Sequence, residues 1–422
     1  MRPYILKKMR WNLNNMKKKI KKRFYLDYSI LVPYLILSIL GIVMVYSASS
    51  AKLASAGMNP AKDAIRQAAF FIVGLISVAF IYKMKTSVFQ NKRFITFSTL
   101  GISGMLVLTK FSNLGVSGGG ADGWLRLGPI SLQPIEFLKI IIVWYLAYNL
   151  SKKQHMIQQD VKTATFKPFI IVSILIILVL IQPDNGGAAI LVMMASIMFF
   201  ASGINYMYTM LAIGGGVIGA FLAIELIVLS KGVIFPGRFQ YVYHRFRTFS
   251  NPFIDPLGDG HQMINSYYAI KNGGWFGRGI GNSIQKKGFL SAAQTDFMFS
   301  IVVEELGLIL SLIILGILLY LIVKIFVLGI NSRSTFNSLM CIGIGGMLLI
   351  QTFINLGGVV GIIPLTGVTF PFLSQGGSSL ITLSIGIGMV LNISADEKHK
   401  KMERAKKQYY MQRESKQLIE SR

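Results

Sequence analysis

The sequence predicts an all-α polytopic membrane protein of about ten transmembrane helices, with one large extracytoplasmic loop between helices 7 and 8. Three observations carry that prediction. Of 422 residues, 53% are hydrophobic and only 14% charged, with a mean hydropathy of +0.57, whereas a soluble domain carries roughly 25% charged residues. Ten apolar runs fall near 28–48, 67–84, 94–110, 135–150, 168–182, 187–201, 207–229, 297–325, 335–356 and 377–393, each close to the ~20 residues a bilayer requires. The 43 Lys and Arg outnumber 17 Asp and Glu, for a net charge of +26. They cluster at the two ends and in a few short connections, the pattern of membrane orientation and not of nucleic-acid binding.

The basic N-terminal segment, 1–25, contains Arg2, Lys7, Lys8, Arg10, Lys17, Lys18, Lys19, Lys21, Lys22 and Arg23 without one acidic residue. It reads as a cytoplasmic anchor beside anionic lipid. The first apolar run is too long for the core of a cleaved signal peptide and reads as the first spanning helix. Residues 26–394 form one membrane domain, and 395–422 a charged tail with Lys398, Lys400, Lys401, Arg404, Lys406 and Lys407. An even number of spans puts both termini in the cytoplasm. Lys85, Lys92, Arg93, Lys152, Lys153, Lys162, Lys167, Lys324 and Arg333 then all fall in inner connections, as the bias of basic residues toward the inner face requires. The fifth and sixth runs are short, and Gln182-Pro183-Asp184-Asn185-Gly186-Gly187 joins them almost at membrane depth. One cysteine, Cys341, excludes an internal disulfide, and His155, His244, His261 and His399 share no zinc-ligand spacing.

Four outer connections, 111–134, 182–187, 230–296 and 357–376, hold the residues suited to chemistry. Loops as long as 230–296 are functional or disordered, and Trp275, Phe289, Tyr267 and Tyr268 favour an ordered, working one. Asp296 closes this loop at the start of the eighth helix. Two readings of it stand: a functional carboxylate at the membrane boundary, or one placed to suit the helix dipole, worth about 0.3–1 kcal/mol. Glu304 and Glu305 lie about two turns deeper, where a charge needs a partner, and read as a pair locking helices together. Glu136 and Lys139, at i,i+3 behind Gln133-Pro134, read as an internal ion pair. Asp184 suits an Asx turn, with a substrate-facing role left open. Arg245, Arg247, Lys271, Arg278, Lys286 and Lys287 form a basic set where positive charge is normally sparse, as a pyrophosphate-bearing substrate would require. Gly277-Arg278-Gly279-Ile280-Gly281 follows no strand and lacks a Walker lysine-serine pair, so no nucleotide fold is expected. The breaker-rich segment from Ile363 to Ser379 must line a cavity or be buried in protein.

Read in order, these features resemble one family. They are Tyr46-Ser47-Ala48-Ser49-Ser50, Trp124-Leu125-Arg126-Leu127-Gly128 with Gln133-Pro134 and Glu136, Gln182-Pro183-Asp184, and Arg245 before Phe249 and Pro252. Gly279-Ile280-Gly281-Asn282-Ser283 with Gln285-Lys286, Thr295-Asp296-Phe297, Glu304-Glu305-Leu306-Gly307 and the segment from Pro364 to Ser379 complete the set. The chain is similar to the SEDS family of bacterial shape, elongation, division and sporulation proteins, and more to its division members than to its elongation members. Asp122-Gly123 stands where the family often has an arginine pair, and Ile135 where a serine usually follows Gln-Pro.

The resemblance implies a peptidoglycan glycosyltransferase that polymerises lipid II at the outer face of the cytoplasmic membrane for septal synthesis. It also implies a divalent cation, Mg²⁺ or Mn²⁺, a class B penicillin-binding protein as partner and further divisome membrane proteins. Asp296 would be the catalytic base, and Arg245, Lys286, Lys287, Gln285, Arg126, Ser374, Gln375 and Ser378 would meet substrate. A sugar already linked to a lipid pyrophosphate has its leaving group activated, so no nucleotide is needed. The competing expectation is a transporter that moves lipid II unchanged, with Glu304, Glu305 and Asp184 as its charge relay. Cysteines placed near Asn251 and Ser283 are expected to react with a membrane-impermeant thiol reagent on intact cells, and cysteines near Lys153 and Lys407 to stay protected. The reverse pattern would invert the orientation and put Asp296 in the cytoplasm.

Overall fold

The computed structural model describes residues 22–112, 115–118, 121–128, 130–230, 240–258 and 260–420. Most of the basic N-terminal segment, up to Lys21, and positions 231–239 of the long loop lie outside the described residues. Each predicted apolar run coincides with a helix. These are α1 (Tyr28–Ser55), α2 (Lys62–Lys83), α3 (Lys92–Phe111), α4 (Pro134–Lys152), α5 (Val161–Leu180), α6 (Asn185–Ala201) and α7 (Tyr206–Leu229). Two shorter helices of the long loop follow, α8 (Gln240–Ser250) and α9 (His261–Gly273), then α10 (Met298–Asn331), α11 (Thr335–Val359) and α12 (Gly377–Glu420). Among the described residues, seven helices are long and apolar enough to cross a membrane, and α6 is a shorter apolar helix.

The interior is built around α11 and the first half of α12. Helix α11 packs against α10, α4 and α6, and α12 against α2 and α4. Lipid supplies no hydrophobic drive between helices, so small residues and buried polar pairs hold them. Tyr34 Oη pairs with Ser384 Oγ at 2.9 Å, joining α1 to α12. Asn392 Nδ2 donates to the carbonyls of Ile81 at 2.6 Å and Met84 at 2.9 Å, closing the end of α2.

Two features depart from a purely helical reading. The connection before α4 is an antiparallel three-stranded sheet, in the order β1 (Gly115–Gly118), β2 (Ala121–Leu127) and β3 (Ile130–Leu132). Gly128, at φ 63°, permits the tight turn between β2 and β3, and β3 delivers the chain to Pro134 in the first turn of α4.

The second departure is a break in α10. Gly307 adopts φ 80°, ψ 169°, which no helix residue does. The chain after α9 fills the gap: Arg278 N donates to Glu304 O at 3.0 Å and Gly279 N to Glu305 O at 2.9 Å. From the far side of the break, Leu308 N donates to Gly274 O at 2.9 Å and Ile309 N to Trp275 O at 3.3 Å. The amides and carbonyls that a broken helix would strand are thereby satisfied. The approach demands glycine, because a Cβ on Gly277 would stand 2.3 Å from the Glu305 carbonyl oxygen, and one on Gly307 would stand 2.4 Å from Gly277 N.

Gly274 tests how tight this insertion is, since it shares a positive φ of 53° but a Cβ there meets nothing within 4 Å. Gly277→Ala is expected to destabilise the purified protein by about 2 kcal/mol more than Gly274→Ala, read as a lower melting temperature in detergent. Equal shifts would show that the segment does not grip the break.

Candidate active site

Three consecutive carbonyls of the turn preceding α10 are each held by a different donor. Gln375 N donates to Gln294 O at 2.8 Å, Ser374 Oγ to Thr295 O at 2.6 Å, and Asn355 Nδ2 to Asp296 O at 2.7 Å. Asn355 reaches the turn from α11, and the same amide nitrogen donates to Val368 O at 2.7 Å. Ser374 Oγ accepts from Phe370 N at 2.9 Å. Breaker-rich backbone between α11 and α12 is thus buried against protein from Phe370 to Ser374 and lines a cavity at Leu365 and Gly367, the two settings its composition allows. Its task is to fix the main chain of Asp296.

With the backbone fixed, the half-buried Asp296 carboxyl faces a cavity of about 360 Å³. His244, Arg245, Thr248, Phe249, Gln262, Phe297, Leu365 and Gly367 are among its lining residues. Arg245 arrives on α8 and is tethered there, Nη1 donating to Leu365 O at 2.9 Å. Burial pushes the Asp296 carboxyl up to about 6, and the Arg245 guanidinium and the Thr295 hydroxyl oppose that rise without cancelling it. The group is thus poised to take a proton near neutral pH.

A second carboxylate, Asp184, caps α6 and accepts from Gly187 N at 2.7 Å. Burial raises it too, against the Gly187 hydrogen bond, and Arg245 lies within electrostatic reach of both carboxylates. Among the described residues no three His, Cys, Asp or Glu side chains gather as a ready cation site. Behind the site, Lys139 Nζ stands 2.8 Å from Glu136 Oε2 and donates to Gln351 Oε1 at 3.2 Å, and Gln351 Nε2 donates to Thr369 O at 3.0 Å. The Glu136–Lys139 pair is internal, as its spacing suggests, and its contacts run on into the segment that holds Asp296.

Several residues expected at substrate are placed elsewhere. Lys286 is one of them. Its Nζ is buried 2.7 Å from Glu305 Oε1 and donates to Ser47 Oγ at 2.9 Å, so its charge is neutralised inside the protein. Gln285 is buried, and its main-chain N donates to Glu304 Oε2 at 3.3 Å. Glu304 also accepts from the Ser283 hydroxyl and from Ile284 N at 3.1 Å. Glu304 and Glu305 thus anchor the loop. Lys287 and Arg126 are exposed and do not line the cavity. Ser374 and Gln375 hold the Asp296 turn from behind, while Ser378 Oγ accepts from Gln133 N at 3.0 Å. Sequence reading passed over Asn355 and Gln351, although two amides at i,i+4 in a membrane helix are themselves a signal, because lipid gives them no partner.

Known proteins resemble this chain over most of its length. The chain matches the FtsW/RodA/SpoVE family, described as cell cycle protein, over residues 28–399. It is 45% identical over 412 residues to the "Probable peptidoglycan glycosyltransferase FtsW" of Lactococcus lactis subsp. lactis (strain IL1403), covering 92% of this chain and 97% of that protein. A protein of the same name from Enterococcus hirae is 38% identical over 384 residues, covering 90% of this chain and 95% of that one. Among solved structures, a chain from "Structural coordination of polymerization and crosslinking by a peptidoglycan synthase complex" superposes with a TM-score of 0.68 at 25% identity, covering 88% of this chain and 98% of that one. The family match across nearly the whole membrane domain and the close relatives agree with the architecture, and this multi-pass membrane protein belongs to the FtsW/RodA/SpoVE family.

Proposed function

We propose that the chain is a peptidoglycan glycosyltransferase that polymerises lipid II at the outer face of the cytoplasmic membrane, with Asp296 as its general base. One observation carries the assignment of the base: a single carboxylate, raised toward neutrality, faces a cavity beside a tethered arginine while its own backbone is clamped at three successive carbonyls. In the reaction an acceptor sugar hydroxyl attacks the anomeric carbon of the donor. The new bond forms through the hydroxyl oxygen, the bond from the anomeric carbon to the pyrophosphate oxygen breaks, and the lipid pyrophosphate leaves with that electron pair. Asp296 takes the hydroxyl proton. Arg245 faces the charge that develops on the leaving group.

A Mg²⁺ or Mn²⁺ ion suits this site as one that the pyrophosphate brings with it, since such ions bind through one or two carboxylates plus substrate phosphates. Asp296 and Asp184 are the carboxylates at hand, and the ion would add charge neutralisation at the leaving group. The distribution of Lys and Arg supports cytoplasmic termini. The likeness to a chain of a peptidoglycan synthase complex supports a class B penicillin-binding protein as partner. The relatives named FtsW and the cell-cycle description support a place at the septum, among other divisome membrane proteins. Against the transport reading, two of its three relay carboxylates, Glu304 and Glu305, sit in hydrogen-bonded sets of partners, which favours a structural role for them.

The test is polymerisation of accessible lipid II by purified protein. Asp296→Asn is expected to abolish turnover at an unchanged melting temperature, and near-normal polymer from that variant would overturn the assignment. For the wild type, kcat/KM should rise through an acidic limb near pH 6, because only the ionised carboxylate accepts a proton. Arg245→Ala removes a charge that lowers this group, so its limb should move to higher pH, with weaker substrate binding. Asn355→Ala is expected to cut kcat by roughly 10²-fold with little change in KM, the cost of a misplaced reacting group. An unchanged kcat would show that the Asp296 turn holds its position without that amide.

A further inference from the structure

The segment that fills the break in α10 carries two large apolar side chains outward. Trp275 is 65% exposed and Phe276 84% exposed, and Lys271 and Arg278 flank them, also exposed. Their depth is fixed by hydrogen bonds. The carbonyls of Gly274 and Trp275 accept from Leu308 and Ile309, the first residues of α10 beyond the break. From Leu308 to Asn331 the helix runs roughly 36 Å at about 1.5 Å per residue, against a hydrocarbon thickness of about 30 Å. A span that begins at Leu308 and Ile309 is thus long enough for the bilayer, which sets these residues at the hydrocarbon boundary on the side of the long loop, and Trp275 is hydrogen-bonded to Ile309. Immediately below, Ile309, Leu310, Leu312 and Ile313 are exposed apolar residues of the same helix, the wall a spanning helix turns to lipid.

We propose that Trp275 and Phe276 are an interfacial lipid anchor, embedded among the head-group ends of the acyl chains, with Lys271 and Arg278 reaching the lipid phosphates. Three observations select lipid as the occupant. The pair is continuous with a lipid-facing wall, a tryptophan at this depth meets its preferred environment, and the flanking charges complement a phosphate layer. The anchor ties the loop ending in Asp296 to a set membrane depth. That consequence for turnover rests on the function proposed above; the anchoring itself does not.

The experiment reads depth without turnover. Trp275 is left as the only tryptophan by Trp11→Phe, Trp124→Phe and Trp144→Phe, and the protein is placed in phosphatidylglycerol vesicles brominated either near the head-group end or at the terminus of the acyl chains. Emission should be quenched severalfold, more by bromine near the head-group end. An unquenched tryptophan, or one quenched most from the chain terminus, would overturn the proposal, the first outcome being that expected if water or a protein partner covers this face. Because Trp144 packs against Phe89 and Phe94, a second measurement leaves every tryptophan in place. A nitroxide on Phe276→Cys, with native Cys341 fully buried, should collide more often with oxygen than with a water-soluble nickel chelate. The opposite order would equally refute the anchor.

Discussion

Two adjacent glutamates hold the working loop to the membrane domain at both their main chains and their side chains. The carbonyls of Glu304 and Glu305 accept from Arg278 and Gly279, while their carboxylates take the Ser283–Gln285 stretch and the Lys286 ammonium. The stretch from Arg278 to Lys286 is thus referenced to one turn of one helix. The arrangement exists because α10 breaks at Gly307: an unbroken helix would use those carbonyls itself and leave nothing for a loop to bond. A break at membrane depth is tolerable only where protein satisfies the freed groups, so break and loop depend on each other.

The same physics separates the carboxylates by role. Glu305 meets a lysine and a serine, and Glu304 meets amides and a hydroxyl. Removing one member of such a set leaves the other buried and uncompensated, which costs stability before it touches chemistry. Asp296 has its backbone saturated and its carboxyl turned to a cavity, so its surroundings raise its proton affinity without holding the group in an ion pair. Rigidity is supplied to the main chain and reactivity is left to the side chain.

Hydropathy made the apolar helices legible because a spanning helix must supply a bilayer's thickness of apolar residues, whatever it packs against. The sheet was not legible: its strands are short, and the glycines at 115 and 118 blur any alternation. The break was hidden as well, since one glycine in an apolar run is ordinary and its φ is set by a loop about thirty residues earlier. Asp296 stood out as a charge at the boundary, and Glu136–Lys139 as an i,i+3 pair. The burial of Lys286 was not legible, because a loop lysine reads as surface and only the fold brings Glu305 and Ser47 to it. Asn355 acts on a residue 59 positions away, a relation that no local pattern carries.

A membrane glycosyltransferase with an activated lipid-linked donor needs little covalent machinery and much placement. The reacting sugars hang from chains confined to one leaflet, so their height is given by the bilayer, and the base must be set at that height. Here the height passes through hydrogen bonds from α10 to the inserted segment, and through the Asn355, Ser374 and Gln375 donors to the Asp296 turn. These donors come from α11 and the segment after it, whereas the loop's anchorage at Glu304 and Glu305 belongs to α10. The turn is therefore gripped by two elements that both cross the membrane. An error in either grip would displace the carboxyl relative to a substrate whose own position the lipid has already fixed, which is why residues that touch no substrate are expected to affect the rate of the proposed reaction.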